Sequence, residues 1–339
     1  MKPGAWRSSL RTMAAQLRDL ALGAVVFVAI FLVLGEVFLR TVFWGGESFS
    51  ARTGPIVRRF ERGFRLNSFD GPSRGPEPSG PKTPGGTRIV VQGDSITWGQ
   101  GVKDEDQLFS TRLLRALRES NPAVDMAVLA RPGREIDEHV QQLKKWGTAL
   151  TPDAIIYQWY INDMQLGTSR KPKTERLWRR PSRVYSTLHG ISFFVFFLDF
   201  CLDTLLPSGG ESYESYLADH FGEGDEAWHV FEERFAEWAL SAKELTPRVM
   251  VALYPHLRLR SGDPPAMLPE IVDIHARVLA LCRRNNLSCV DLLPALATFP
   301  DSRLIQASRF DGHPSAEAHR VIAEVLFEAI REARWNERN

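Results

Sequence analysis

The chain has 339 residues with 44% hydrophobic content, enough for one large domain or two modest ones. Lys and Arg total 42 against 41 Asp and Glu, so no charge field points to nucleic acid or to a cationic partner. Three cysteines, Cys201, Cys282 and Cys289, are too few for a disulfide scaffold, and no Cys/His spacing suggests zinc.

Residues 20–39 form an apolar run of the roughly 20 residues that a helix needs to cross a bilayer. Lys2, Arg7, Arg11 and Arg18 precede it against Asp19 alone, which keeps that flank in the cytoplasm and exports the rest. A cleaved signal peptide would have a shorter apolar core and a small-residue cleavage site, so an uncleaved anchor over 20–42 is preferred. Glu36 lies near the outer end, one turn before Arg40, and pairing between them is the expectation. Phe43 and Trp44 then fall in the interfacial belt.

Residues 43–87 read as a connector. Arg58, Arg59, Arg62 and Arg65 form a solvated basic stretch, and 71–86 consists mostly of Gly, Pro and Ser, a tether that builds no core. From residue 88 apolar runs alternate with amphipathic segments. Strands are expected near 88–92, 124–130, 153–159, 247–254 and 288–293; helices near 106–119, 134–146, 228–244, 267–285 and 315–333. That rhythm gives right-handed crossovers and a parallel sheet covered on both faces, with ligands at the carboxyl ends of the strands. There is no internal repeat. Cys282 and Cys289 flank a helix-to-strand turn; they pair in an oxidising compartment or are two small buried residues, and the second reading is preferred. Cys201 reads as core.

Residues 164–227 interrupt the rhythm. A basic stretch (Arg170, Lys171, Lys173, Arg176, Arg179, Arg180, Arg183) leads into an apolar run over 191–206, broken by Asp199 and Asp203, and then a polar loop. The run is short for a second span. An insertion packed over the site is the first reading, and a surface helix dipping into the bilayer is the second.

Acyl transfer requires a nucleophile, a base, a group that orients the base, and donors for the oxyanion. Ser95, in the GDSITWG segment at 93–99, sits on the turn between a buried strand and a helix, where a serine is presented beside free backbone N–H groups. Its own amide is one oxyanion donor. Gly133, after the second strand, offers a second amide with no side chain in the way. Asn162, at the end of the third strand, offers a side-chain amide. His313, before the last helix, is the base, and Asp311 is placed to receive its other ring N–H. Trp98, Trp159 and Tyr160 flank the site and either line an acyl or sugar pocket or belong to the core. Asp94 reads as a turn-stabilising residue, Asp163 as a loop support, and His319 as a last-helix residue facing elsewhere.

Taken singly these features are weak, but their order resembles the SGNH hydrolase superfamily, the GDSL-type esterases and lipases, which is recognised by a Ser block, a Gly, an Asn and a carboxyl-terminal His. Ser95, Gly133, Asn162 and His313 match that set over roughly residues 88–335. The anchor, tether and final helix look like a membrane-anchored bacterial branch. The resemblance implies a three-layer flavodoxin-like α/β fold with a central five-stranded parallel sheet, hydrolysis or transfer of ester-linked acyl groups, and no metal or organic cofactor. It also implies an oxyanion hole made from the Ser95 and Gly133 amides and the Asn162 side chain. One departure is the Asp–His spacing: the family places its Asp three residues before the His, and here the separation is two. Residues two apart share a face in an extended segment, which lets Asp311 meet His313; in a turn Asp311 misses, leaving a Ser–His pair oriented by a backbone carbonyl.

Three functions are compatible with these residues. The first is a membrane-tethered serine esterase on the periplasmic side of a bacterial inner membrane, acting on an acylated glycan or lipid. The second is an O-acyltransferase or deacetylase of envelope polysaccharide, which as a transferase needs a donor-supplying membrane partner. The third is a catalytically silent glycan-binding protein on the same fold.

Overall fold

The structure, a computed structural model, describes residues 5–44, 66–67, 71–72, 74–78, 80–165, 192, 194, 213–222, 224–258, 262–308 and 311–335. The chain divides into two units, one built on the N-terminal helix with residues 180–207, the other containing the sheet.

In the first unit, α1 (Ala5–Trp44) is a single helix. Its stretch Gln16–Phe38 is long and apolar enough to cross a membrane, and Phe27, Phe31 and Leu34 stand exposed along it. Glu36 does not stand alone. Its Oε2 accepts the Ser192 hydroxyl at 2.8 Å and the Phe194 amide at 2.9 Å. The Phe194 ring fills the notch at Gly35, where a Cβ would come within 2.4 Å of it, and meets Phe31 edge-on at 5.5 Å. The Arg40 side chain, the partner expected from sequence, lies outside the described residues, as do Cys201, Asp199, Asp203 and the basic stretches at 58–65 and 170–183.

The second unit is a five-stranded sheet. Its strands are β1 (Thr87–Gly93), β2 (Val124–Ala130), β3 (Ala154–Trp159), β4 (Val249–Leu253) and β5 (Ser288–Asp291), ordered β2-β1-β3-β4-β5 and all parallel. This is the flavodoxin-like order, whose direction reverses between β1 and β3. The strands are near-continuous apolar runs because both faces are covered. Ile89, Val91, Met126, Val128, Ile156 and Met250 face one side. There they meet the stripes Phe109/Leu113/Leu117 of α3 (Phe109–Ser120) and Ile322/Leu326/Ile330 of α9 (Ala316–Glu332). Val90, Leu129, Ile155, Tyr157 and Val251 face the other side. That layer is α4 (Ile136–Leu150), α6 (Glu226–Leu245) and α7 (Pro269–Arg284).

Three features depart from the sequence reading. The stretch read as a polar loop before 227 contains a helix, α5 (Tyr213–His220), whose Tyr216 and Leu217 enter the α4–α6–α7 core. Part of the stretch read as a tether lies on the domain. Buried Arg74 donates to Gly99 O at 2.8 Å and Lys103 O at 3.0 Å, and Lys82 pairs with Asp153 at 2.9 Å. Gly and Pro supply no core, but a guanidinium supplies donors for loop carbonyls that no helix satisfies. Finally, Cys282 and Cys289 are disulfide-bonded, with Cα atoms 6.2 Å apart, joining the end of α7 to β5.

Candidate active site

The turn that carries Ser95 leaves β1 at Gly93 and enters the four-residue helix α2 (Ser95–Trp98). Asp94 caps it, with Oδ1 accepting the Ile96 amide at 2.9 Å, and Gly99 closes it in the left-handed region at φ 75°. The turn is tied to the neighbouring strand: Gln158 Oε1, at the end of β3, accepts the Thr97 hydroxyl at 2.8 Å and its amide at 3.2 Å. Gly93 makes this possible, since a Cβ there would lie 2.0 Å from Thr97 Oγ1.

His313, the candidate base, arrives from the far end of the chain. After β5, a helical turn α8 (Leu293–Leu296) leads to a short antiparallel hairpin, β6 (Gln306–Ser308) with β7 (Asp311–Pro314). Ser315 caps α9 through its hydroxyl and bonds back to Leu304 O and Ile305 O, which locks the hairpin to the helix. His313 Nε2 lies 3.0 Å from Ser95 Oγ, and His313 Nδ1 lies 2.5 Å from Asp311 Oδ1. Asp311 Oδ1 also accepts the His313 amide at 3.1 Å, and its side chain is 3% exposed. With Nδ1–H committed to the carboxylate, the Nε2 lone pair faces the serine hydroxyl. That is the tautomer a general base requires.

The other two sequence candidates leave the two strands that flank β1, at the same end of the sheet. Gly133 follows β2 with φ 76° and no atom within 4 Å of where a Cβ would sit. Asn162 follows β3 in the 3-10 turn Ile161–Met164. Asn162 Nδ2 reaches Arg134 O at 3.4 Å, so the Asn turn and the Gly133 loop meet. At that length the bond is weak.

Trp98 and Trp159 are 5% and 1% exposed and belong to the two cores, one on each side of the sheet. Tyr160 is half-buried at the rim, its hydroxyl 2.6 Å from His256 Nδ1. His319 is buried on α9, where Nδ1 accepts the Phe109 amide at 3.1 Å, and burial pushes its pKa down to about 3. It is a neutral cap for α3 and not a second base. Asp94 is fully buried, its Oδ2 3.4 Å from Ser95 Oγ; burial, then the charge of Asp163, pushes its pKa up to about 6.

Sequence reasoning passed over the residues that hold the site. Gln92 and Gln158 are polar residues inside apolar strands, and that interruption was the available signal. Gly101, at φ 88°, has no such signal; a Cβ there would meet Ala307 Cβ at 2.4 Å and Asp311 Oδ2 at 3.4 Å.

Residues 91–321 match the GDSL-like Lipase/Acylhydrolase family. The chain belongs to that family. Among solved structures it is similar to TesA, at 14% identity, covering 73% of this chain and 99% of that one with a TM-score of 0.46. It is similar also to the lipase/acylhydrolase from Enterococcus faecalis (15%, 73% and 96%, TM-score 0.44). A third is Axe2, an acetylxylan esterase from Geobacillus stearothermophilus (15%, 72% and 95%, TM-score 0.42). No curated protein matches the chain. Ser95, Gly133, Asn162 and His313 of this GDSL-like hydrolase all fall within the matched region.

Proposed function

We propose that this GDSL-like hydrolase is a membrane-anchored serine esterase acting through Ser95, His313 and Asp311. The observation that carries this reading is the Ser95–His313–Asp311 chain of contacts, at 3.0 and 2.5 Å, assembled from residues 218 apart in sequence. His313 takes the hydroxyl proton as Ser95 Oγ attacks the ester carbonyl. Asp311 holds the ring and stabilises the imidazolium. The amides of Ser95 and Gly133 and the Asn162 side chain receive the oxyanion, and each such donor is worth about 10²–10³ in rate. His313 then protonates the departing alcohol, and water, deprotonated by the same ring, releases the acid from the acyl-serine.

Residues 20–42 anchor the chain, 43–87 connect, and 88–335 form the catalytic domain with an insertion at 164–227. The basic N-terminal flank supports a periplasmic domain at a bacterial inner membrane. The Cys282–Cys289 bond supports the same side, because such bonds persist in oxidising compartments. A complete set of nucleophile, base and orienter argues against a silent binding module, which has no use for that alignment.

The test is hydrolysis of p-nitrophenyl acetate by the full-length chain in detergent. The wild type turns over and Ser95→Ala falls to background. Equal rates in the two would remove the proposal.

A further inference from the structure

A layer of buried polar side chains lies under the active-site loops, and its hydrogen bonds can be oriented from one end. The Trp238 indole, which only donates, gives its N–H to Gln92 Oε1 at 2.9 Å. The Gln92 amide nitrogen must then donate, and it reaches His139 O and Gln142 Oε1, both at 3.0 Å. Gln142 Oε1 is therefore an acceptor, and His139 Nδ1, 3.3 Å from it, carries a hydrogen. This fixes the ring. His139 Nε2 points at Asp163 Oδ1, 3.5 Å away, with both side chains fully buried.

Among the described residues, His139 Nε2, Tyr157 Oη and Asp163 Oδ1 are each buried with no hydrogen bond of good geometry, and the Tyr157 hydroxyl also interacts with the Asp163 carboxyl. The Tyr157 ring lies against His139 at 4.9 Å. An Nε2 lone pair facing a carboxylate lone pair would repel, so one proton must lie between them. Burial pushes the Asp163 carboxyl up, and the His139 contact pulls against it. The other oxygen of Asp163, Oδ2, accepts the Tyr160 amide at 2.8 Å and caps the turn that carries Asn162.

We propose that His139 and Asp163 form a proton-sharing positioning pair that sets the Asn162 turn for oxyanion binding. The inference rests on the esterase reading above and extends it to two residues that touch no substrate. The shared proton leaves the pair without net charge, so Asp163 can be buried and still cap the turn. Without the His139 proton, a lone buried carboxylate must either take up a proton or pull the turn toward water. When the turn is pulled toward water, the Asn162 amide moves. Because the oxyanion exists only along the reaction path, the loss falls on kcat and not on KM.

The test is steady-state kinetics of the full-length protein in detergent on p-nitrophenyl acetate. His139→Leu should lower kcat by about 30- to 100-fold, a large part of one oxyanion donor, with KM within about threefold. His139→Gln, whose amide can still donate to Asp163, should stay within about tenfold of wild type. Combining His139→Leu with Asp163→Asn should recover at least about tenfold over His139→Leu, because no carboxylate is left to neutralise. Wild-type kcat in His139→Leu, a loss confined to KM, or no recovery in the double variant would overturn the inference. If His139→Leu does not fold, Asp163→Asn against Asp163→Ala decides. The amide keeps the cap and stays within about tenfold of wild type, while alanine loses at least about 30-fold in kcat; equal kcat in the two overturns the pair's role. Activity retained by Ser95→Ala would instead sink the esterase reading itself, whatever the variants at 139 and 163 do.

Discussion

Asp311 and His319 show how differently two buried titratable residues serve one site. Asp311 meets His313 because β7 is extended, so residues two apart share a face. Asp311→Asn keeps the shape but can present a donor to Nδ1, which favours the wrong tautomer; kcat should fall by about 10³–10⁴ in p-nitrophenyl acetate assays, by analogy with other triads. A fall below tenfold would show that the carboxylate is not the orienter. His319 affects stability instead. Its folded pKa, about 3, lies well below the ordinary value near 6.5. Between those values the unfolded chain holds one more proton, so stability present above pH 6.5 is lost toward pH 3, at roughly 1.4 kcal/mol per pH unit. His319→Asn places an acceptor near the Nδ1 position without that proton. Its urea midpoint should fall less steeply than that of the wild type between pH 6.5 and 4. Asp94, raised to about 6, works in the opposite direction over about pH 4–6. It does so in both proteins and cancels in the comparison. Parallel slopes would contradict the buried neutral imidazole.

At the scale of elements, the hairpin β6–β7 is what brings His313 to Ser95. It closes on the nucleophile loop at Gly101, where positive φ and contact with Ala307 leave no room for a side chain. Gly101→Ala should push the hairpin outward, lowering kcat/KM for p-nitrophenyl acetate at least about tenfold and stability by about 1–3 kcal/mol. Unchanged kinetics would mean that the hairpin does not set the His313 position. This hairpin was not legible in the sequence, because residues 306–314 show no alternation of apolar and polar positions. The five sheet strands were legible because long apolar runs bounded by turn residues leave few alternatives. Ser95 and His313 were placed by the turn and helix boundary beside them. Helix α5 stayed hidden, since Tyr216 and Leu217 alone make too short an apolar stripe, and the docking of Arg74 depends on carbonyls far along the chain. Pairing of Cys282 with Cys289 required a distance that spacing alone does not supply.

For the molecule as a whole, the sequence separates an apolar helix from an α/β hydrolase domain, and in each unit polar side chains are held by partners far along the chain. Glu36, costly in an apolar helix, is met by a hydroxyl and an amide from residues 192 and 194. Under the sheet edge, Gln92 donates to His139 O and Gln142 Oε1, and Asp163 accepts the Tyr160 amide of the Asn162 turn. The account rests on one reactive hydroxyl, and the most direct measurement is to look for its covalent intermediate. Full-length protein mixed with p-nitrophenyl acetate and acid-quenched within the first turnover should yield, by peptide mass spectrometry, an acetyl group on Ser95. Replacing His313 by Ala should abolish that adduct. An acetyl group on a different residue, or turnover with no adduct at Ser95 under conditions that trap one in a control serine esterase, would contradict the account.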